Sequence, residues 1–293
     1  MIKNISATEY HDDEVGAPAP TLSCSIAKLL LAEPPIKAML AHPKLNPDWE
    51  GEDETSKAQD IGTAAHAMLL EGRDAIEVCP FKDWRTNDAK AQRDAARLAG
   101  KIPLLDAQYG AVCDMVLVAQ QAAQDAGFNL ATGKPEQSIV WHDGATWLKC
   151  RPDWLADDHD LILDYKATAL SQAAWLRAIP GSGYDVQDAL YRRGVEAETG
   201  KQARFVFMVQ EVEAPHLCYF VELPAAYRAI GEQKVEKALA IWRACMLANQ
   251  WPGYPRTLIE PEPLPWTLAE AEEIACELQG FTVEGFMFGR VPA

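Results

Sequence analysis

An α/β core carrying a helical N-terminal addition is the fold class this sequence predicts. Three observations lead there. Residues up to about 130 are dominated by Ala- and Gln-rich stretches with helical spacing. Short apolar or alternating runs begin only after residue 135. Two helical stretches then separate those runs from a further pair. The 293 residues are 48% hydrophobic and 24% charged, a globular mix that excludes wholesale disorder.

In chain order, residues 1–21 read as a loose arm, because MIKNISATEYHDDE is polar and acidic. Residues 22–41 read as a helix that breaks at Pro34-Pro35 and resumes. Residues 42–58 lack an apolar period and read as a mobile acidic loop. Helices are expected at 59–71, 86–99 and 104–126. Strands are expected at 136–142, 146–151 and 160–166, the first two joined by the hairpin turn HDGA. Helices follow at 171–179 and 184–199, strands at 203–212 and 216–223, and a long helix at 224–249. A Pro- and Trp-rich tail over 251–266 leads to a last helix at 267–279. One domain is therefore expected over 22–250, with its helical part at 22–130, its α/β core at 131–250 and an extension at 251–293.

Charge and composition narrow the function. There are 43 acidic and 27 basic residues, a net charge of −16, whereas proteins that coat nucleic acid are usually basic. A local basic channel or bound cations inside an acidic body remains compatible with this charge. Seven scattered cysteines point to reduced thiols and a cytoplasmic location, and no apolar run is long enough for a membrane span. Gly181-Ser-Gly183 lacks the third glycine of a dinucleotide loop, and the glycines before Lys134 are misspaced for a phosphate loop, so no nucleotide cofactor is expected. No close cysteine pair suggests zinc.

The chemistry concentrates in residues 136–166. Asp164 and Lys166 are two apart on an expected strand and share a face. Asp153 leaves the preceding strand, and Glu136 heads the one before. Three carboxylates with a lysine suit Mg²⁺ or Mn²⁺, and the lysine can act on a water or offset phosphate charge. Taken alone, a D-x-K triplet is common, and a lone His66 on an apolar helix is more often a core histidine.

The combination resembles the PD-(D/E)xK nuclease signature, with Pro152-Asp153 as the literal dipeptide and Asp164-Tyr165-Lys166 as its second half. Gly62-Thr-Ala-Ala-His66 matches the G-x-x-x-H helix of RecB-family nucleases, and Gln187-Asp-Ala-Leu-Tyr191 matches their Q-x-x-x-Y helix. Leu22-Ser-Cys-Ser25, IGTAAHAMLLEG and FKDWRTNDAK resemble RecE-type exonucleases of phages and prophages. The resemblance implies a PD-(D/E)xK core, a central mixed β-sheet flanked by helices, in a chain of phage or prophage origin. It implies that Asp153, Asp164 and the Tyr165 carbonyl hold Mg²⁺, with Mn²⁺ as a substitute. Lys166 would act on the water, Glu136 on a second metal or that water, and His66 on metal or phosphate. Gln187 and Tyr191 would support the site and touch DNA, and Ser23, Ser25 and Lys28 would bind a strand-end phosphate. The implied activity is 5′-to-3′ digestion of linear double-stranded DNA by a homo-oligomeric ring working with a single-strand annealing protein. Cys218, Cys245 and Cys276 are too widely spaced for the iron–sulfur cluster of some relatives. A structure-specific endonuclease and a non-catalytic binding module remain open.

Overall fold

The structure, a computed structural model, describes residues 1–49 and 61–280. In chain order its elements are β1 (Ile2–Lys3), α1 (Ala7–His11), β2 (Thr21–Leu22), α2 (Cys24–Ala32), α3 (Pro35–Leu40) and α4 (Ile61–Leu70). Then come β3 (Ile76–Cys79), α5 (Asn87–Leu98), β4 (Ile102–Leu105), α6 (Asp106–Asp125), β5 (Gly133–Pro135) and β6 (Ser138–Asp143). They are followed by β7 (Thr146–Cys150), β8 (Trp154–Ala156), β9 (Leu161–Thr168), α7 (Gln172–Ser182) and α8 (Tyr184–Thr199). The last are β10 (Arg204–Glu211), β11 (Cys218–Glu222), α9 (Ala225–Ala248) and α10 (Pro265–Gly280). The expected α/β class and its mixed sheets flanked by helices are what the structure has.

A five-stranded sheet runs β11-β10-β9-β8-β5, and a four-stranded sheet runs β1-β6-β7-β2. Only β9 and β10 pair in parallel in the larger sheet. That parallel pairing requires a crossover, which α7 and α8 supply. Alternation along β9 divides its side chains between two cores. Ile162 faces a cluster with Phe205, Phe207, Leu190 and Trp242, whereas Tyr165 faces one with Met115, Val112 and Met208. Gly183 and Gly200, with φ of 64° and 72°, bound α8 in the left-handed conformation that glycine tolerates. Gly231 lets α9 lie against α8, because a Cβ there would meet the Asp185 carbonyl at 2.2 Å.

Chain passes from one sheet to the other twice, at 136–137 between β5 and β6 and at 151–153 between β7 and β8. The crossings lie side by side, with the Glu136 amide donating to the Asp153 carbonyl at 3.1 Å. Glu136 has φ of 53°, a conformation uncommon for a residue with a side chain.

The segment expected to be a loose arm is instead packed. β1 pairs with β6, Ser6 and Glu9 close a capping box on α1, and Val15 is buried. Asp13 is fully buried, with the Lys149 ammonium at 2.9 Å and the Thr21 amide donating to it at 3.1 Å. Asp13→Ala would strand a buried ammonium, costing about 3–5 kcal/mol. Thermal denaturation should show a drop of roughly 6–20 °C, and an unchanged midpoint would refute that role for the network. Residues 42–49 of the expected mobile loop form turns with His42 buried, and 50–58 lie outside the described residues. Met1–Gly253 forms one compact unit, and Tyr254–Ala293 forms a second, which contains α10. Among the described residues no helix is long and apolar enough to cross a membrane.

Candidate active site

β9 carries Asp164 and Lys166 on one face, and the Lys166 ammonium pairs with Asp164 Oδ1. Gln187, on the buried side of α8, donates from Nε2 to Asp164 Oδ2 at 2.5 Å. Asp153, at the β7–β8 crossing, accepts from the Tyr165 amide at 2.8 Å. That bond ties the crossing to the strand holding the other two residues. α4 brings His66, whose Nε2 lies 3.3 Å from Asp153 Oδ2 and 3.5 Å from Glu136 Oε1. His66, Glu136 and Asp153 offer ligand atoms all within 4.8 Å of one another.

Behind the strand, the Tyr165 hydroxyl donates to Gln210 Oε1 at 2.6 Å. The Gln210 amide nitrogen donates in turn to the carbonyls of Met115 and His216 at 2.9 and 3.0 Å. This satisfied buried amide fixes the back of β9.

Electrostatics reflect crowded negative charge. Burial would lower the His66 pKa, but hydrogen bonding to Asp153 and the charges of Asp153, Glu136 and Asp164 lift it to about 9. Burial also opposes the Lys166 charge, yet Asp164 and Asp153 hold its pKa well above the usual lysine value. Burial and the Asp153 charge raise Asp164 against the pull of Lys166. Glu136 is raised by burial and Asp153, against His66 and Arg151. Burial works to raise Asp153, but His66, Lys166 and the Tyr165 amide hold it below the ordinary range.

PD-(D/E)xK nucleases generally use divalent metals, and this donor set fits one. Carboxylate oxygens beside an imidazole suit a hard or borderline divalent cation, and there is surplus negative charge for it to neutralise. Glu136, Asp153, Asp164 and His66 are the residues that could hold it.

A pH dependence follows. His66 is raised from 6.5 to about 9, so its stabilisation is complete below pH 6.5 and is lost as pH rises through 9. Thermal denaturation in EDTA should show stability falling over that window. Added Mn²⁺ should flatten or reverse the trend, because the carboxylates then face a cation and His66 need not be protonated. Identical slopes with and without Mn²⁺ would contradict a metal site that includes His66.

The structure thus brings together Glu136, Asp153, Asp164, Lys166, His66, Tyr165 and Gln187. Tyr191, Ser23, Ser25 and Lys28 line a cavity of about 380 Å³, which Gln187 shares with them. Ser23 caps α2, accepting from the Ile26 amide at 3.3 Å, and its hydroxyl lies 3.0 Å from that of Ser25. Sequence reasoning missed Arg151. Its guanidinium pairs with Glu136 and donates to the Ile5 carbonyl at 3.2 Å, so the N-terminal segment helps to position Glu136. The triplet Arg151-Pro152-Asp153 was the available signal.

Comparison with known proteins bears on the fold and the family. No curated protein matches. A candidate exonuclease from Eubacterium rectale superposes with a TM-score of 0.55 at 15% identity, covering 89% of this chain and 96% of that one, a likeness of fold. A phage-related exonuclease from Haemophilus somnus 129PT gives a TM-score of 0.32 at 11% identity, over 78% of this chain and 96% of that one, too loose to carry an argument. Residues 23–257 match the family described as a PDDEXK-like domain of unknown function, DUF3799. That match runs over nearly the whole compact unit and every carboxylate of the site, so this chain belongs to the DUF3799 family of PDDEXK-like domains.

Proposed function

We propose that this protein is a Mg²⁺-dependent exodeoxyribonuclease acting on the ends of linear double-stranded DNA, with Mn²⁺ able to substitute. The observation that carries this reading is the convergence of Asp164 and Lys166 on Asp153 and Glu136 at the paired sheet crossings. When bound, the divalent cation supplies Lewis acidity at the phosphoryl group and acidifies a water. Asp153, Asp164 and the Tyr165 carbonyl would hold it there, with His66 and Glu136 able to reach the same cation.

Lys166 is kept as an ammonium by its two carboxylate neighbours. It orients the attacking water and offsets negative charge on the phosphoryl oxygens in the transition state. Glu136, held by Arg151, accepts a proton of that water or holds a second cation. Water adds to phosphorus in line with the leaving oxygen, the P–O3′ bond breaks, and a proton passes to the departing 3′ oxygen. Ser23, Ser25 and Lys28, in the cavity shared with Gln187 and Tyr191, receive the terminal phosphate. Digestion in the 5′-to-3′ direction leaves a 3′ single strand for an annealing partner. A homo-oligomeric ring with its basic residues facing the hole reconciles DNA binding with a net charge of −16. A scattering curve of a compact monomer would count against the ring.

The test offers linear and covalently closed duplex DNA with Mg²⁺. Loss of linear DNA alone is expected. Cutting of closed circles would make the same site that of an endonuclease. Intact DNA of both kinds, with Mg²⁺ or Mn²⁺, would overturn the nuclease reading.

A further inference from the structure

Lys28 stands between two cavities. One is shared with Gln187 and Tyr191, and Gln187 connects it to Asp164. The other, of about 350 Å³, lies between α2, the corner at 180–183 and α9, and is lined by Lys28, Lys234 and Lys237 over Leu31 and Val186. No carboxylate lines this second cavity. That is unusual in a chain whose 43 acidic residues outnumber 27 basic ones.

The three lysines differ in their partners. Lys234 pairs with Asp185 at 2.6 Å. The Lys28 ammonium lies 5.7 Å from the centroid of the Tyr184 ring. Among the described residues neither Lys28 nor Lys237 is paired with a carboxylate. The corner between α7 and α8 is built for close approach. A Cβ on Gly181 would meet nothing within 4 Å, so a ligand can reach the backbone there. Gly183, at φ 64°, lies so close to Lys28 that a Cβ would meet its side chain at 3.0 Å. Gly181-Ser-Gly183 fails as a dinucleotide loop, but it leaves main chain open beside positive charge.

We infer that this lysine-lined cavity holds the phosphodiester backbone of a DNA strand that runs from the carboxylate cluster past Lys28 toward Lys237. The inference rests on the nuclease reading and extends it by assigning part of the strand's path. Continuity with the first cavity through Lys28 favours a chain of phosphates over a single anion. Lys28 and Lys237 supply unpaired positive charge for the phosphates, and Leu31 and Pro180 supply apolar surface for the sugars.

The experiment measures binding of a fluorescein-labelled linear duplex in EDTA by anisotropy across a salt series. Wild type is compared with Lys237→Glu, Gly181→Asp and Lys201→Glu. Lys237 is exposed, and Gly181 has open space, so neither change should disturb folding. Lys201, exposed beside Asp158 in the link between α8 and β10, is the control for charge alone. Lys237→Glu should weaken binding about fivefold or more and lower the slope of log K against log salt by about one. Gly181→Asp should weaken it similarly, and Lys201→Glu should stay within about twofold. If wild type digests DNA and all three variants bind alike, the strand path falls and the nuclease reading stands. If wild type neither binds nor digests, both fall. Unchanged DNA binding in Lys237→Glu with loss of inorganic phosphate binding, read by calorimetry, would make this a small-anion site and overturn the strand assignment.

Discussion

Replacing Lys166 by alanine is expected to slow DNA hydrolysis by about 10²- to 10³-fold, the loss seen when one preorganised donor to a transition state is removed. The size follows from its place. The ammonium is three-quarters enclosed, paired with Asp164, and kept charged by Asp164 and Asp153 together. In such a site a fixed positive charge acts more strongly on a phosphoryl oxygen than it would in water. The same change leaves Asp164 without its cation, so its carboxyl rises further toward neutrality in the metal-free protein. Lys166→Arg should recover little, because a planar fork cannot occupy the position of a compact ammonium. Single-turnover cleavage of end-labelled duplex checks this, with DNA binding in EDTA as the control. Near-normal cleavage by Lys166→Ala would remove the lysine from the mechanism.

Asp153→Asn is expected to abolish most of the stabilisation that a divalent cation confers. In wild type, a cation at 100 times its Kd adds about 2.7 kcal/mol, or roughly 5–11 °C in thermal midpoint. The variant should retain less than about a third of this. Asparagine keeps an acceptor for the Tyr165 amide, so the crossing should hold without metal. It removes the charge that draws His66 upward, so the metal-free pH dependence between 6.5 and 9 should flatten as well. Differential scanning calorimetry with and without Mn²⁺ reads both effects. An undiminished cation shift in the variant would place the metal elsewhere.

Much of this was legible in the sequence, for identifiable reasons. α8 and α9 are long and periodic with clear stops, β9 opens on the apolar run Leu161-Ile-Leu163, and β10 is apolar from Phe205 to Val209. Such segments declare themselves locally. Asp164 and Lys166 stood out as candidates because a buried strand delivering polar groups has a readable pattern, and Asp153 through the likeness to the nuclease signature. β1, β2, β5 and β8 are two or three residues long, too short for any period to show. The parallel pair β3 and β4 was missed because its partners are separated by α5.

The N-terminal segment misled because the contacts that anchor it to the rest of the fold are distant in sequence. Asp13 looks like solvated acid but meets Lys149, and the Ile5 carbonyl meets Arg151. Composition reports what a residue prefers on average and says nothing of a partner more than a hundred positions away. Arg151 escaped notice for a different reason: its role depends on the neighbouring crossing lying beside its own, a pairing that no local pattern shows.

The most direct test of the central claim is release of acid-soluble nucleotide from linear duplex DNA across a Mg²⁺ titration. Wild type and Asp153→Asn would be purified side by side, each with an EDTA control. The account predicts that wild type releases nucleotide only with the cation, and that the folded variant releases almost none at any Mg²⁺ concentration. Equal release by both proteins, or wild-type release that persists in EDTA, would contradict it.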